Sequence, residues 1–146
     1  MTVEQSRQIF ADELARVTRK WRTLVDSELR SIGMTLARAK AILHLCDHDG
    51  ISQRELATEL DIETATLVRL LDGLAEQGLI ERHASETDRR ANSIHLTPAA
   101  RKLAGQVRSR IDAIRDDVLG QVSARELDTA AGVLGKIATA LDGQRG

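Results

Sequence analysis

The chain has 146 residues, of which 42% are hydrophobic and 29% charged, and its formal net charge is −1. This composition is typical of one folded domain with a core and excludes a disordered chain. The near-zero net charge argues against indiscriminate nucleic-acid binding, which needs a basic face. No apolar run approaches the roughly 18 residues that span a bilayer, and the single cysteine, Cys46, excludes an intramolecular disulfide, so we expect a cytoplasmic protein with no membrane partner.

A long amphipathic helix is predicted from about residue 3 to residue 32, with Gly33 ending it. Its apolar residues are spaced four, three, four and three apart, as in a coiled-coil seam: Phe10, Leu14, Val17, Trp21 and Leu24. Thr35 is the predicted N-cap of a second helix, which stops at Gly50. The residues that this helix directs toward a core are Leu36, Ala39, Ile42, Leu43 and Cys46.

Two short helices joined by three residues are predicted next, and together they form a helix-turn-helix. Ser52 and Glu55 have the spacing of a capping box at the start of the first one, which runs to Leu60. The second helix begins near Thr64 and ends at Gly78.

On a helical wheel this second helix has one apolar side, formed by Leu67, Leu70, Leu71 and Leu74. The opposite side begins with small or hydroxyl-bearing residues, Ala65 and Thr66, followed by Arg69. Such a face suits the major groove of DNA, because small residues permit close approach and arginine can donate two hydrogen bonds to guanine. The helix N-terminus near Thr64 favours phosphate. An ordinary solvated helix face is the alternative interpretation.

Two short strands, at residues 79–83 and 92–96, are predicted to flank a polar loop. A hairpin directly after a helix-turn-helix is a wing, and its tip would reach the adjacent minor groove, where arginine is favoured. Arg89 and Arg90 lie in this loop, and Asp88 can hold the Arg90 guanidinium in a fixed pose. The alternative is an exposed loop salt bridge of little energetic value.

Two further helices complete the chain. Thr97 and Pro98 begin one of them, and a capping box of Ser123 with Glu126 begins the other. One chain would hardly cover three long apolar stripes, so we predict a homodimer rather than an intrachain bundle. The three stripes are Phe10–Leu24, Leu103–Val118 and Leu127–Leu141. The predicted dimerisation residues are Phe10, Leu14, Val17, Trp21, Leu127, Leu134 and Leu141.

The segment Ile51–Ala100 closely resembles the winged helix-turn-helix core of the MarR/SlyA family of bacterial transcriptional regulators, in the motifs "LATEL", "TLVRLLDGLAEQGLIER", "DRR" and "LTP". The flanking helices match in length and placement rather than in residues. The resemblance implies a mainly α fold with a small two-stranded β wing. It also implies a helical dimerisation domain, residues 1–34 and 98–146, around a winged helix-turn-helix DNA-binding domain, residues 35–97.

The resemblance further implies a regulator, usually a repressor, that binds a pseudo-palindromic operator in double-stranded DNA as a homodimer. Many members of the family release DNA when a small phenolic or carboxylic effector binds. The implied DNA contacts lie on the second helix of the helix-turn-helix, at the start of the first and in the wing: Ser52, Gln53, Arg54, Thr64, Ala65, Thr66, Arg69, Asp88, Arg89 and Arg90.

The charge of this DNA-binding segment fits the interpretation least well. Residues 52–95 hold five arginines and nine acidic residues, a net charge of −4. We therefore expect weak non-specific binding that depends on a few arginines, with Arg38 and Lys40 as candidates for extra phosphate contacts. The alternative function is a winged-helix module that binds an acidic protein partner through Arg89 and Arg90.

No enzymatic activity, metal or cofactor is predicted. The sequence has no nucleophile elbow and no phosphate-binding glycine loop. In "HLCDHD", His44 and His48 share a helix face while Cys46 points the other way, so these three cannot close a tetrahedral metal site. We expect Cys46 to be a core residue rather than a redox sensor.

Overall fold

The computed structural model describes residues 1–84 and 92–144, which form six α-helices and one two-stranded sheet. In chain order these elements are α1 (Val3–Arg30), α2 (Leu36–Asp47), α3 (Gln53–Glu59), α4 (Thr64–Glu76), β1 (Ile80–Ala84), β2 (Asn92–Leu96), α5 (Pro98–Leu119) and α6 (Ala124–Asp142). Each predicted element is present, so the mainly α fold with one pair of antiparallel strands is confirmed. None of the described helices combines the length and the apolar character that crossing a membrane requires.

Polar caps set the helix starts where the sequence predicted them, while α1 ends at Arg30 and α2 at Asp47, a few residues before the predicted ends. The Thr35 hydroxyl accepts a hydrogen bond from the backbone N–H of Arg38 at 3.2 Å, and Ser123 forms a capping box with Glu126. Gly33 has a φ of +75°, a left-handed conformation that ends the first helix without the steric cost of a side chain. These local signals are readable from the sequence because they involve residues only a few positions apart.

The chain forms two compact units, Met1–Ile111 and Asp112–Gly146, and the boundary falls within α5. The core of the first unit combines side chains from α1 to α5 and from β2: Leu29, Met34, Ile42, Leu45, Leu56, Leu67, Leu71, Leu74, Ile94 and Val107. The predicted division into residues 35–97 and two flanking helical segments concerns which residues meet DNA and which meet a second copy. That division stays a prediction.

The buried face of α2 differs from the predicted one. Ala39 and Ile42 are buried as expected, and Ala41 and Leu45 are buried as well. The other three residues predicted to face the core are only half-buried: Leu36, Leu43 and Cys46. The reason is that α2 packs against α1, α4 and β2, so neighbours cover more of its circumference than a single apolar stripe. The placement of Cys46 in the core was therefore wrong.

Candidate nucleic-acid interface

The helix-turn-helix is closed by backbone hydrogen bonds at the end of α3. The N–H of Ile62 donates to the Ala57 carbonyl at 3.1 Å, and the N–H of Asp61 donates to the Thr58 carbonyl at 3.2 Å. This pair of bonds is a Schellman motif, in which Asp61 takes the left-handed position with a φ of 52°. The turn satisfies the last carbonyls of α3 and sets the direction in which α4 starts.

The two sides of α4 divide as the helical wheel predicts, except that Leu70, on the apolar side, is only half-buried. Leu67, Leu71 and Leu74 are fully buried. The residues predicted to face DNA from this helix are all exposed: Thr64, Ala65, Thr66 and Arg69. Burial of one side against the core therefore holds the other side outward at the surface, while its role toward DNA stays a prediction.

Arg38 covers the C-terminal half of α4. A Cβ atom at Gly73 would lie 2.4 Å from the Arg38 Nη2 atom, so the absence of a side chain there makes room for the guanidinium. Arg38 Nη1 donates to Gln77 Oε1 at 2.8 Å, and Gln77 Nε2 donates to the Gly33 carbonyl at 3.3 Å. Arg38 was a candidate for a phosphate contact, and one nitrogen of its guanidinium instead joins α2 to the end of α4 through Gln77, so the phosphate contact stays a prediction.

The start of α3 is joined to the wing. The Ser52 hydroxyl caps α3 by accepting the backbone N–H of Glu55 at 3.1 Å, and the Ser52 backbone forms an antiparallel bridge with Ser93. The other two predicted phosphate contacts follow at once, Gln53 half-buried and Arg54 exposed. The Ser52 hydroxyl accepts through its oxygen, and its contact with a phosphate stays a prediction.

Arg82, on β1, fixes the base of the wing to α4. Its Nη2 atom donates to Asp72 Oδ1 at 2.7 Å and lies 3.4 Å from the Val68 carbonyl oxygen. Nothing in the sequence predicts this pair, because no local pattern relates two residues ten positions apart on a helix and a strand. Their pairing also neutralises one of the acids on α4.

The wing strands carry a second set of contacts. The rings of His83 on β1 and His95 on β2 stack with centroids 4.2 Å apart, although the two residues are diagonal rather than directly paired, since His83 pairs with Ser93 and His95 with Glu81. Asp49 accepts the backbone N–H of Leu96 at 2.8 Å, and its other oxygen lies 3.4 Å from His95 Nδ1 and 3.5 Å from Arg101 Nη2. Asp49 therefore links the segment before α3 to β2 and to the start of α5.

The predicted wing-tip residues, Asp88, Arg89 and Arg90, lie at positions 85–91, outside the described residues. The described strands pair in register from Ile80 with Leu96 to Ala84 with Asn92. The bracing of Arg90 by Asp88 stays a prediction.

An open-sided cavity of about 400 Å³ lies within the Met1–Ile111 unit, between α1, α2 and the helix-turn-helix. It is lined by Arg22, Asp26, Thr35, Leu36, Ala37, Lys40, Leu60, Ile62 and Leu70. Asp26 Oδ1 accepts the backbone N–H of Leu36 at 3.3 Å. Lys40, the second candidate for an extra phosphate contact, is one of the lining residues.

Known proteins resemble this chain in both sequence and fold. The sequence model of the MarR family matches residues 32–91. The crystal structure of the transcriptional regulator PA3341 is 40% identical to this chain, with a TM-score of 0.77, and the match covers 92% of this chain and 98% of that chain. The chain belongs to the MarR family of transcriptional regulators.

More distant structures share the MarR fold. The S. aureus MepR–DNA complex is 24% identical, with a TM-score of 0.82 and coverage of 90% of this chain and 97% of that chain. A mutant of E. coli MarR in complex with operator DNA is 21% identical, with a TM-score of 0.82 and coverage of 94% and 99%. These matches confirm the winged-helix fold that the motifs implied.

The residues predicted to hold a MarR-type dimer are at the surface of the single chain or close to it. Phe10, Val17, Leu134 and Leu141 expose between 42% and 62% of their surface. The remaining three, Leu14, Trp21 and Leu127, are half-buried. The single chain therefore leaves the predicted stripes of α1 and α6 largely uncovered, whereas the stripe of α5 is partly covered by its own chain, since Val107 and Ile114 are buried.

Proposed function

We propose that this MarR-family protein is a cytoplasmic, sequence-specific DNA-binding repressor that occupies a pseudo-palindromic operator as a homodimer. The proposal rests on one observation, the exposed face of α4 above a buried leucine side: Thr64, Ala65, Thr66 and Arg69. Small residues allow the helix to approach base edges, and the guanidinium can donate two parallel hydrogen bonds to guanine. Two proteins with the same fold, MepR and E. coli MarR, form complexes with DNA.

In this proposal the wing contacts the neighbouring minor groove. Arg90, together with Arg89, enters that groove, and Asp88 orients the guanidinium. The salt bridge between Arg82 and Asp72 supports this arrangement, because it joins the base of the wing to α4, the proposed recognition helix. A wing fixed in this way would keep the minor-groove contact at a constant distance from the major-groove contact of α4. It would also reduce the conformational entropy that the protein loses on binding DNA.

The acidic character of the DNA-binding segment shapes the expected affinity. Ser52, Gln53 and Arg54, at the start of α3, are proposed to contact phosphates, with Arg54 supplying the charge. Since residues 52–95 carry a net charge of −4, few phosphates are neutralised and non-specific binding is weak. Replacing Arg54 by alanine should lower affinity for all sequences equally and reduce the slope of log K against log salt by about one.

The homodimer is proposed from the uncovered stripes on α1 and α6. None of the nineteen residues of α6 is buried in the single chain, although Leu127, Leu134 and Leu141 recur every seven positions along it. A helix with such a stripe gains most of its stability by covering it. Burial against the same stripe of a second copy gives a closed two-fold assembly, and two recognition helices then meet two half-sites.

We further propose that a small phenolic or carboxylic effector binds in the cavity beside α1 and α2 and releases DNA. The volume of about 400 Å³ suits a small ligand, and Arg22 and Lys40 supply positive charge for an anionic group. Leu60 and Ile62 line the cavity from the turn before α4, so a ligand there would act on the segment that directs the recognition helix. The effector must bind the DNA-incompetent form more tightly.

The test is a DNA-binding titration. Purified protein is mixed with a labelled fragment from upstream of its own gene, and affinity is measured by fluorescence anisotropy at several salt concentrations. Replacing Arg69 or Arg90 by alanine should cost about 1–3 kcal/mol, or roughly 5- to 150-fold in affinity, for the specific fragment only. The matched control is Arg115→Ala, which removes the same charge from an exposed site on α5.

Two outcomes would contradict the proposal. If the wild type bound the specific fragment no better than random DNA, sequence-specific recognition would be excluded, and the module that binds an acidic protein partner would remain. If Arg90→Ala behaved like Arg115→Ala, the wing assignment would be wrong. For the effector, benzoate and phenol should weaken DNA binding of the wild type, and Lys40→Gln should reduce the benzoate effect.

A further inference from the structure

Three potential metal ligands from two different helices meet on the surface next to the helix-turn-helix. They are His44 and His48 at the end of α2 and Glu59, the last residue of α3, and one donor atom from each lies within 4.8 Å of the others. The sequence did not predict this cluster, because Glu59 lies fifteen residues after His44 and the nearer candidate was Cys46. The carboxylate supplies the third ligand that the cysteine cannot.

The two histidines of this cluster lie side by side. They are one helical turn apart, and their rings stack with centroids 4.4 Å apart and planes 10° from parallel. His48 Nδ1 lies 3.2 Å from the backbone carbonyl of His44. Since a carbonyl oxygen only accepts, this contact is a hydrogen bond in the tautomer with the proton on Nδ1, and that tautomer leaves the lone pair of His48 Nε2 for a cation.

The surroundings of this cluster favour positive charge. His44 Nε2 contacts Glu59 Oε2, so a carboxylate already lies beside the imidazole nitrogen. The C-terminal end of α2 adds the partial negative charge of the helix dipole. His48 and Glu59 are exposed, so an ion can enter directly from solvent and water can complete its coordination.

We propose that His44, His48 and Glu59 bind one divalent transition-metal ion of the zinc class, with water as the remaining ligand. Two imidazole nitrogens and one carboxylate oxygen suit zinc, copper or nickel rather than magnesium or calcium, which prefer all-oxygen sites. Bond lengths of about 2.0–2.2 Å require the three donor atoms to adjust their positions around the ion. The exposed side chains of His48 and Glu59 can make that adjustment by rotation.

An ion at this site would cross-link the end of α2 to the end of α3, the first helix of the helix-turn-helix. Because the unfolded chain does not hold these three ligands together, binding would stabilise the folded state by mass action. A rise in the melting temperature with added metal is therefore expected. This inference does not depend on whether the protein binds DNA.

The experiment uses full-length protein freed of metal with a chelator. Zn²⁺ is titrated by calorimetry, and Co²⁺ serves as a spectroscopic probe of the ligands. We expect one ion per chain and a visible cobalt spectrum without a thiolate charge-transfer band. His48→Gln and Glu59→Gln should each weaken zinc affinity by at least about 10- to 100-fold, since even second-shell changes cost that much. The matched controls, Cys46→Ser and His83→Gln, should bind zinc as the wild type does.

The proposal would be overturned by a wild type that binds zinc no better than the double variant His48→Gln/Glu59→Gln. It would equally be overturned by loss of binding in Cys46→Ser or by a thiolate band in the wild-type cobalt spectrum, since either would place the ion elsewhere. Both substituted side chains are exposed, so the variants should fold, and circular dichroism checks this. The cobalt spectrum tests the wild type even if a variant fails to fold.

Discussion

Removing the leucine stripe of α6 should dissociate the proposed dimer. The perturbation is the double variant Leu134→Ala/Leu141→Ala. In the single chain these side chains expose 45% and 62% of their surface, so together they offer about one fully exposed leucine to a partner. No residue of α6 is buried in the single chain, and the substitutions therefore leave its core intact.

The magnitude follows from those exposures. Complete burial of one leucine side chain contributes about 1.5–3 kcal/mol. Leu134 and Leu141 together therefore contribute roughly this free energy of association per subunit. A dimer contains the stripe twice, so the contribution per dimer is about twice as large. Alanine retains Cβ, which favours the lower end, about 3 kcal/mol per dimer. The dissociation constant of the dimer should rise roughly 100-fold.

Sedimentation equilibrium over a dilution series measures this constant directly. The matched control is Lys136→Ala, an exposed position two residues from Leu134 on the same helix but off the stripe, which should leave the constant unchanged. Helical circular dichroism at each concentration separates dissociation from unfolding. If the double variant dissociates no more readily than Lys136→Ala, or if the wild type is monomeric, α6 is not the dimer contact and the reasoning from its uncovered stripe is wrong.

Three further substitutions test the fold around the helix-turn-helix by urea denaturation. Leu71→Ala removes a fully buried side chain and should cost about 2–5 kcal/mol of stability; a smaller loss would mean that the core of α4 is loosely packed. Gly50→Ala puts a side chain at a φ of +83°, with Cβ 3.2 Å from His95 Cε1, and should lower the free energy of unfolding by about 1–2 kcal/mol. An unchanged urea midpoint would contradict this expectation. A double-mutant cycle of Arg82→Ala and Asp72→Ala should give a coupling of about 0.2–1 kcal/mol, since the pair is partly exposed, and additive effects would show that the bridge is not formed in solution.

Elements defined by local pattern were predictable along the whole chain. The two faces of α4 follow from a spacing of 3.6 residues per turn, and Thr35 and Ser123 cap helices through bonds to residues three positions away. The exposure of Arg69 also follows from the helical wheel. These features involve interactions within one or two turns, which is why reading residues in order recovers them.

Features that join distant segments were not predictable. The bond of Arg38 to Gln77 spans 39 positions, and the salt bridge of Arg82 with Asp72 joins a strand to a helix. For Arg38 the sequence indicated a phosphate contact, because an arginine outside the core has no visible partner until the helices are packed.

The sequence by itself determined the order of the elements, their approximate boundaries and the side of α4 that faces outward, since each depends on side chains that are neighbours along the chain. Only the tertiary structure decided which charges pair, that Arg38 lies over Gly73, and that Glu59 joins His44 and His48. Contacts of this kind depend on how the helices pack against one another, and that packing is set by the whole buried core rather than by any short stretch of residues.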